Sequence, residues 1–258
     1  MGHKARKRFG QNFLHDPHVI DKILRTIHPK PDDHLVEIGP GQGAITENLL
    51  TAANRLDAIE LDRDLVRLLE NRYGNHPGFR LHSADALKFD FCQLADAGEK
   101  LRIIGNLPYN ISTPLLFHLL ENAYCLQDMH FMLQKEVVER MATGPGSKTY
   151  GRLSVMLQAY CQVQMLFPIG AGAFQPAPKV ESAFVRLIPY EKPPFAIENP
   201  ALFSKVVTQS FSQRRKTLRN TLKELVSTEI MENCGVDPAA RAEQLPVENF
   251  ARLSNAIA

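Results

Sequence analysis

Apolar positions along this chain of 258 residues repeat with two periods that take turns. Spacings of three and four predict helices over Pro17–Ile27, Ile45–Ala53, Arg63–Arg72, Ser112–Leu120 and Lys135–Thr143. Between them lie short apolar runs that predict strands over Leu35–Ile38, Asp57–Asp62, Phe79–His82, Leu101–Gly105 and Asp128–Gln134. Apolar runs without polar alternation suit parallel strands covered on both faces. Strands and helices in this alternation predict an α/β fold with a doubly wound, mostly parallel sheet. A further helix over Gly151–Ala159 precedes strands at Cys161–Pro168 and Val180–Pro189. The stretch Glu191–Pro200 holds three prolines and reads as a linker. Beyond it, helical periods over Leu202–Phe211, Thr217–Val226 and Val247–Ile257 predict a small all-α domain. The expected organisation is a basic arm over 1–16, an α/β domain over 17–190, a linker over 191–200 and a helical domain over 201–258. Within the arm, Phe9–Leu14 has no period and reads as a segment that covers a ligand.

Candidate chemistry collects where predicted strands end. The first strand runs into Gly39-Pro40-Gly41-Gln42-Gly43-Ala44 and then a helix, a turn that lets backbone approach a cofactor at a helix N-terminus. Two cofactors compete for it. Gly39, Gly41 and Ala44 satisfy the dinucleotide pattern, while Glu37-x-Gly39-x-Gly41-x-Gly43 fits the turn of methyltransferases that use S-adenosylmethionine (AdoMet). The acid before the turn favours AdoMet, because it can meet a cationic amino-acid tail and sits badly beside a pyrophosphate. Glu60, 21 residues past Gly39, suits a ribose diol; its plainer role is as a neighbour of the helix cap Asp62. Asp85, past the third strand, can accept from an adenine amine or serve only as a turn residue.

The fourth strand leads into Asn106-Leu107-Pro108-Tyr109. The Asn106 amide oxygen and the Leu107 carbonyl can each accept an N–H bond from an exocyclic amine. Pro108 fixes the turn, and Tyr109 can stack on the ring that carries the amine. A neutral Asn106 does not serve as a general base. Prolines stiffen Phe174-Gln175-Pro176-Ala177-Pro178-Lys179, which would present Phe174 as the second face of a base sandwich. The competing reading makes Phe174 a core aromatic. Lys179 is a candidate phosphate contact.

The net charge of +2 conceals two basic segments. Residues 1–30 carry seven Lys or Arg against two Asp, and residues 205–223 carry six cations and no acid, so the remainder is acidic by nine charges. Two such segments on an acidic body resemble a polyanion footprint. Arg6, Lys7 and Arg8 lie in the first; Arg214, Arg215, Lys216 and Arg219 lie in the second and are expected to open a helix. The four cysteines, Cys92, Cys125, Cys161 and Cys234, follow neither metal-ligand nor disulfide-framework spacing and are expected to be reduced thiols of a cytoplasmic protein. No metal site is expected. No signal peptide and no membrane span is read.

The glycine turn, Glu60, Asp85 and Asn106–Tyr109 in this order resemble the ribosomal RNA adenine N6-methyltransferase family, and within it the bacterial small-subunit branch. The likeness covers essentially the whole chain, through Lys7–Leu14, Val36–Gly41, Ile59–Asp64, Gly105–Pro114, Phe174–Val180 and Gln213–Thr217. It implies a Rossmann-like class I AdoMet-dependent methyltransferase with AdoMet contacts at Asn12, Leu14, Gly39, Glu60, Asp85 and Asn106. It further implies dimethylation of two adjacent adenines in the 3'-terminal hairpin loop of 16S rRNA, on the small (30S) ribosomal subunit or its precursor. Nothing in the sequence specifies an oligomer, so a monomer is expected. Three other readings compete: a 23S rRNA adenine methyltransferase, an assembly factor that acts by binding, and an NAD-dependent oxidoreductase. The last explains neither the basic segments nor Asn106–Tyr109.

Overall fold

The computed structural model describes residues 11–258. Arg6, Lys7 and Arg8 lie outside the described residues. By Cα proximity the chain forms two compact units. One takes the stretch up to Val138 together with Gln164–Pro189; the other takes Glu139–Val163 together with Tyr190–Ala258. The expected division put 17–190 into one domain. The structure instead groups the middle stretch with the C-terminal residues, because the side chains of Leu153, Val155 and Leu157 are buried in a helix that packs against one from the C-terminal region.

The described chain begins with β1 (Phe13–Leu14), so part of the irregular Phe9–Leu14 segment is a short strand. Helix α1 (Pro17–Ile27) starts where Asp16 accepts from the N–H groups of His18 and Val19, with Pro17 in the first turn, where its missing N–H costs nothing. There follow β2 (His34–Ile38), α2 (Thr46–Ala52), β3 (Arg55–Glu60), α3 (Arg63–Tyr73), β4 (Phe79–Ser83), β5 (Leu101–Asn106), α4 (Ser112–Glu121), β6 (Leu126–Gln134), α5 (Lys135–Ala142), α6 (Arg152–Gln158), β7 (Cys161–Ile169), β8 (Phe174–Gln175) and β9 (Ser182–Pro189). Seven strands form one sheet in the order β4-β3-β2-β5-β6-β9-β7. The pairs β4-β3, β3-β2, β2-β5 and β5-β6 are parallel, and β6-β9 is antiparallel. The expected doubly wound sheet is therefore present. Its winding reverses between β2 and β5, where Ile38 lies beside Gly105. A crevice at the strands' carboxyl ends opens at such a reversal.

Gly105 has a close neighbour there. A Cβ on it would stand 2.7 Å from the Ile38 carbonyl oxygen, so only glycine lets β2 and β5 approach this closely.

The second unit holds α7 (Pro200–Ser210), α8 (Leu218–Thr221), α9 (Thr228–Asn233) and α10 (Val247–Asn255) around Phe203, Val207, Leu222, Met231 and Phe250, all buried. Helix α8 is shorter than its period suggested. Gln213–Thr217 forms a turn, so Arg214, Arg215 and Lys216 do not open a helix. The turn closes through Lys216 N–H bonding the Gln213 carbonyl, and Thr217 then caps α8.

The cysteine reading is also corrected. Cys92 and Cys125 form a disulfide, with Cα atoms 5.6 Å apart. Their separation of 33 residues carries no framework signal in sequence; two 3-10 turns, Phe91–Leu94 and Ala123–Cys125, bring them together. Cys161 and Cys234 are free.

Candidate active site

A cavity of about 290 Å³ opens at the carboxyl ends of β2, β3 and β5. The turn after β2 bends through positive φ at Gly39 (67°), Gly41 (61°) and Gly43 (83°), a region where a side chain is strained. A Cβ at Gly41 would meet the Phe13 ring at 3.1 Å, a tight contact that the ring would have to yield to, so the missing side chain eases the close approach of the turn and β1.

Three carboxylates line the cavity, those of Glu37, Glu60 and Asp85, and no Lys, Arg or His does so among the described residues. Glu37 is 2% exposed and accepts from the Thr46 hydroxyl at 2.7 Å. Burial pushes its carboxyl up to about 7, against the Thr46 bond and with some help from Glu60. Glu60 receives backbone N–H groups on both oxygens, from Asp62 at 2.9 Å and Gly41 at 3.3 Å. Burial still raises its pKa above the usual carboxylate range. Asp62 also caps α3. Asp85 Oδ1 accepts from the Leu87 N–H at 3.0 Å, a turn that also aims the residue at the cavity.

Asn106 ends β5 beside Met132 of β6. Its Nδ2 donates to the Asn12 carbonyl at 2.8 Å. Since a carbonyl can only accept, this bond sets the amide orientation and makes Oδ1 the free acceptor. Leu107 is buried, and its N–H bonds the Met132 carbonyl at 3.2 Å. Tyr109 lines the cavity, and its hydroxyl lies 3.0 Å from that of Ser182 on β9. The Ser112 hydroxyl holds the Tyr109 carbonyl at 3.1 Å.

The structure thus brings together Asn12, Leu14, Gly39, Glu60, Asp85, Asn106, Leu107, Pro108 and Tyr109 around one cavity. Phe174 is not among them. It is 3% exposed, paired with Leu14 through β1 and β8, and packed in the core with Phe184 and Met132. Stiffness of the proline segment fixes the loop that follows but does not turn this ring outward; the base-sandwich expectation for Phe174 is corrected. Lys179 is exposed in that loop. Phe13, within the segment expected to cover a ligand, also lines the cavity, as do Leu61 and Met132, which sequence reasoning missed. Leu61 carried a usable signal, as an apolar residue straight after an acidic strand end; in the structure it is 50% exposed. Among the described residues no group of three His, Cys, Asp or Glu is placed to hold a metal ion.

An acid-lined cavity with no cation suits a ligand that is itself cationic or rich in donors, and opposes a pyrophosphate. The residues present fit AdoMet on that ground. Sheet order, glycine turn and cavity define a Rossmann-like methyltransferase fold. The family model described as ribosomal RNA adenine dimethylase matches residues 2–258. The "Ribosomal RNA small subunit methyltransferase A" of Pseudomonas aeruginosa is 59% identical over 256 residues, covering 99% of this chain and 96% of that protein. The crystal structure of a dimethyladenosine transferase from Plasmodium falciparum superposes with a TM-score of 0.81 at 26% identity, covering 93% of this chain and 95% of the other. That of the 23S rRNA methyltransferase ErmE gives 0.74 at 24% identity, over 95% and 99%, and bears on the fold alone. The chain belongs to the ribosomal RNA adenine dimethylase family and is an enzyme of that type.

Proposed function

We propose that this protein transfers methyl groups from AdoMet to the N6 amines of two adjacent adenines in the 3'-terminal hairpin loop of small-subunit rRNA, acting on the small subunit or its precursor in the cytoplasm. The observation that carries the chemistry is the Asn106–Asn12 bond, which leaves an amide oxygen as acceptor beside an acid-lined cavity. The small-subunit substrate rests on the relative that is 59% identical over nearly the whole chain. No helix among the described residues is long and apolar enough to cross a membrane.

AdoMet, when bound, supplies an electrophilic methyl on a sulfonium. Glu60 would hold its ribose, Asp85 its adenine amine and Glu37 its amino-acid tail, with Asn12, Leu14 and Gly39 completing the pocket. The target adenine leaves its stack to reach the site. Its exocyclic nitrogen is a weak nucleophile because the lone pair is delocalised into the ring. Asn106 Oδ1 and the Leu107 carbonyl accept its two N–H bonds and favour a more tetrahedral nitrogen. Pro108 holds that backbone, and Tyr109 stacks on the ring, worth about 1–3 kcal/mol. Positioning supplies most of the rate, and the proton leaves to water. A monomethylated amine keeps one N–H, so one acceptor suffices for the second transfer. Lys179, Arg215, Lys216 and Arg219, together with Arg6, Lys7 and Arg8, contact RNA phosphates; Arg214 belongs to the same basic segment.

The test is methyl transfer from labelled AdoMet to undermethylated small subunits, bare small-subunit RNA and large-subunit RNA, with nucleosides resolved. Dimethyladenosine on small subunits alone is the expected result. Tight subunit binding without transfer would instead favour a role in assembly.

A further inference from the structure

Within the second unit, the basic turn at residues 211–217 is fastened to a loop from the middle of the chain. Arg214 Nε donates to the Glu243 carboxylate at 3.1 Å, and its Nη2 donates to the Lys148 carbonyl. The Gly146 N–H donates to the Glu243 carbonyl at 2.7 Å. Inside the loop, the Thr149 N–H bonds the Ser147 hydroxyl at 3.2 Å, and the Ser147 and Thr149 hydroxyls lie 2.9 Å apart. The loop then ends on Tyr150, buried edge-on against Phe211 with ring centroids 6.2 Å apart. The loop is therefore held through two backbone groups and the Tyr150 ring, while the Lys148 side chain stays exposed.

This fastening changes the charge pattern of the turn. The Arg214 guanidinium is matched by Glu243 and gives its Nη2 donor to the loop. Lys148, Arg215, Lys216 and Arg219 are all exposed, and among the described residues none has a carboxylate partner within 4 Å. Two segments 66 residues apart in sequence thus meet with four unmatched positive charges on them. Like charges gathered without acids repel one another, and an anionic partner relieves the repulsion.

We infer that Lys148 belongs to one phosphate-binding surface with Arg215, Lys216 and Arg219, a surface that grips the backbone of the RNA substrate. This rests on the proposed reading of that substrate as RNA. Arg214, in this arrangement, holds the loop in place. Lysine suits the task, since its ammonium is a mobile point charge on a flexible stem. A loop already fixed loses little freedom when its cation engages a phosphate. Contacts to phosphate position the protein without reading sequence, so Lys148 contributes to affinity and not to the choice of base.

The experiment compares full-length wild type with Lys148→Ala, Lys148→Glu, Lys148→Arg and Arg215→Ala/Lys216→Ala. Binding to undermethylated small subunits is measured over a series of salt concentrations, with AdoMet binding and thermal melting as controls. Lys148→Ala is expected to weaken binding roughly three- to tenfold and to reduce the slope of log K against log salt by about 0.7–0.9. Lys148→Glu should be worse and Lys148→Arg near wild type, with AdoMet binding and melting unchanged throughout. If both Lys148→Ala and Lys148→Glu keep wild-type affinity and slope while Arg215→Ala/Lys216→Ala binds weakly, Lys148 has no part in the surface. If the double variant also binds as wild type, the RNA-binding reading of the turn falls with it.

Discussion

The side-chain amide of Asn106 and the backbone carbonyl of Asn12 are joined by a 2.8 Å hydrogen bond across 94 residues of sequence. The bond ties the loop that follows β5 to the segment over residues 11–14, and both line the cavity. Asn106→Ala removes the acceptor and is expected to lower the methyl-transfer rate at least a hundredfold, on the order of losing one transition-state hydrogen bond. Binding to small subunits should change less than about threefold, since phosphate contacts carry most of that affinity. Asn106→Asp separates the two roles of the residue. It keeps an acceptor but points a carboxylate oxygen at the Asn12 carbonyl across a part-buried contact, where an unmade bond costs about 1–3 kcal/mol. AdoMet affinity, measured by calorimetry, should therefore fall for the aspartate variant, and equal affinity in both proteins would sever the link between loop and pocket.

Glu37 predicts a pH dependence for cofactor binding. Its carboxyl titrates at about 7 in the ligand-free protein because it is buried. A cationic tail needs the charged form, so affinity should rise as pH passes upward through 7. Glu37→Gln should weaken AdoMet binding roughly tenfold to a hundredfold, the scale of a hydrogen bond to a charged group. The same variant should flatten the profile between pH 6 and 8. A variant that binds weakly yet keeps the rise would place the titrating group elsewhere.

Most of the sheet and the acidic rim of the cavity were legible because both depend on local pattern. The run Leu35–Ile38 is buried throughout, and a glycine turn after an acid has few other uses. What escaped depends on contacts distant in sequence. Cys92 and Cys125 meet only because two irregular turns face each other. Phe174 is buried by its pairing with Leu14, which no reading of its proline-rich neighbourhood reveals. The Gln213–Thr217 turn failed as a helix because α8 begins only at Leu218, whose N–H bonds the Ala240 carbonyl. The grouping of residues 139–163 with the C-terminal helices rests likewise on long-range bonds such as Gly146 to Glu243.

Tyr109 and Ser182 form a second pair with a measurable consequence. The ring of Tyr109 lines the cavity, and its hydroxyl is anchored 3.0 Å from a serine that is 2% exposed. Tyr109→Ala should lower kcat/KM for methyl transfer by roughly 5- to 150-fold, the range of one lost base stack. Tyr109→Phe keeps the ring and loses only the anchor, so its loss should be several-fold. Ser182→Ala should match it, and the combined Tyr109→Phe/Ser182→Ala variant should be no worse than either alone, since both remove one interaction. Additive losses would mean that Ser182 acts by another route.

His130 should make the fold sensitive to acid. It lies on β6, 1% exposed, stacked on Phe184 at 5.8 Å, with neither ring nitrogen hydrogen-bonded. Burial lowers its pKa to about 4; Asp128 opposes the shift, while Arg102 and Arg186 add to it. The unfolded chain takes up this proton below pH 6.5 and the folded chain only near 4, so stability is lost as pH falls across that window. Glu37 works in the opposite sense. Its folded pKa near 7 lies above the ordinary 4.5, so its contribution is lost as pH rises from 4.5 to 7. The two slopes offset each other in the wild type between pH 4.5 and 6.5, and single substitutions should expose them. In Glu37→Gln, denaturant unfolding should show stability falling by about 2 kcal/mol from pH 6.5 to 5, at 1.36 kcal/mol per pKa unit. In His130→Phe the trend should reverse, with the protein more stable at pH 5 than at 6.5, and removal of two unpaired buried nitrogens should add stability at every pH. Parallel profiles for the two variants would show that neither group titrates in the folded protein as its burial requires.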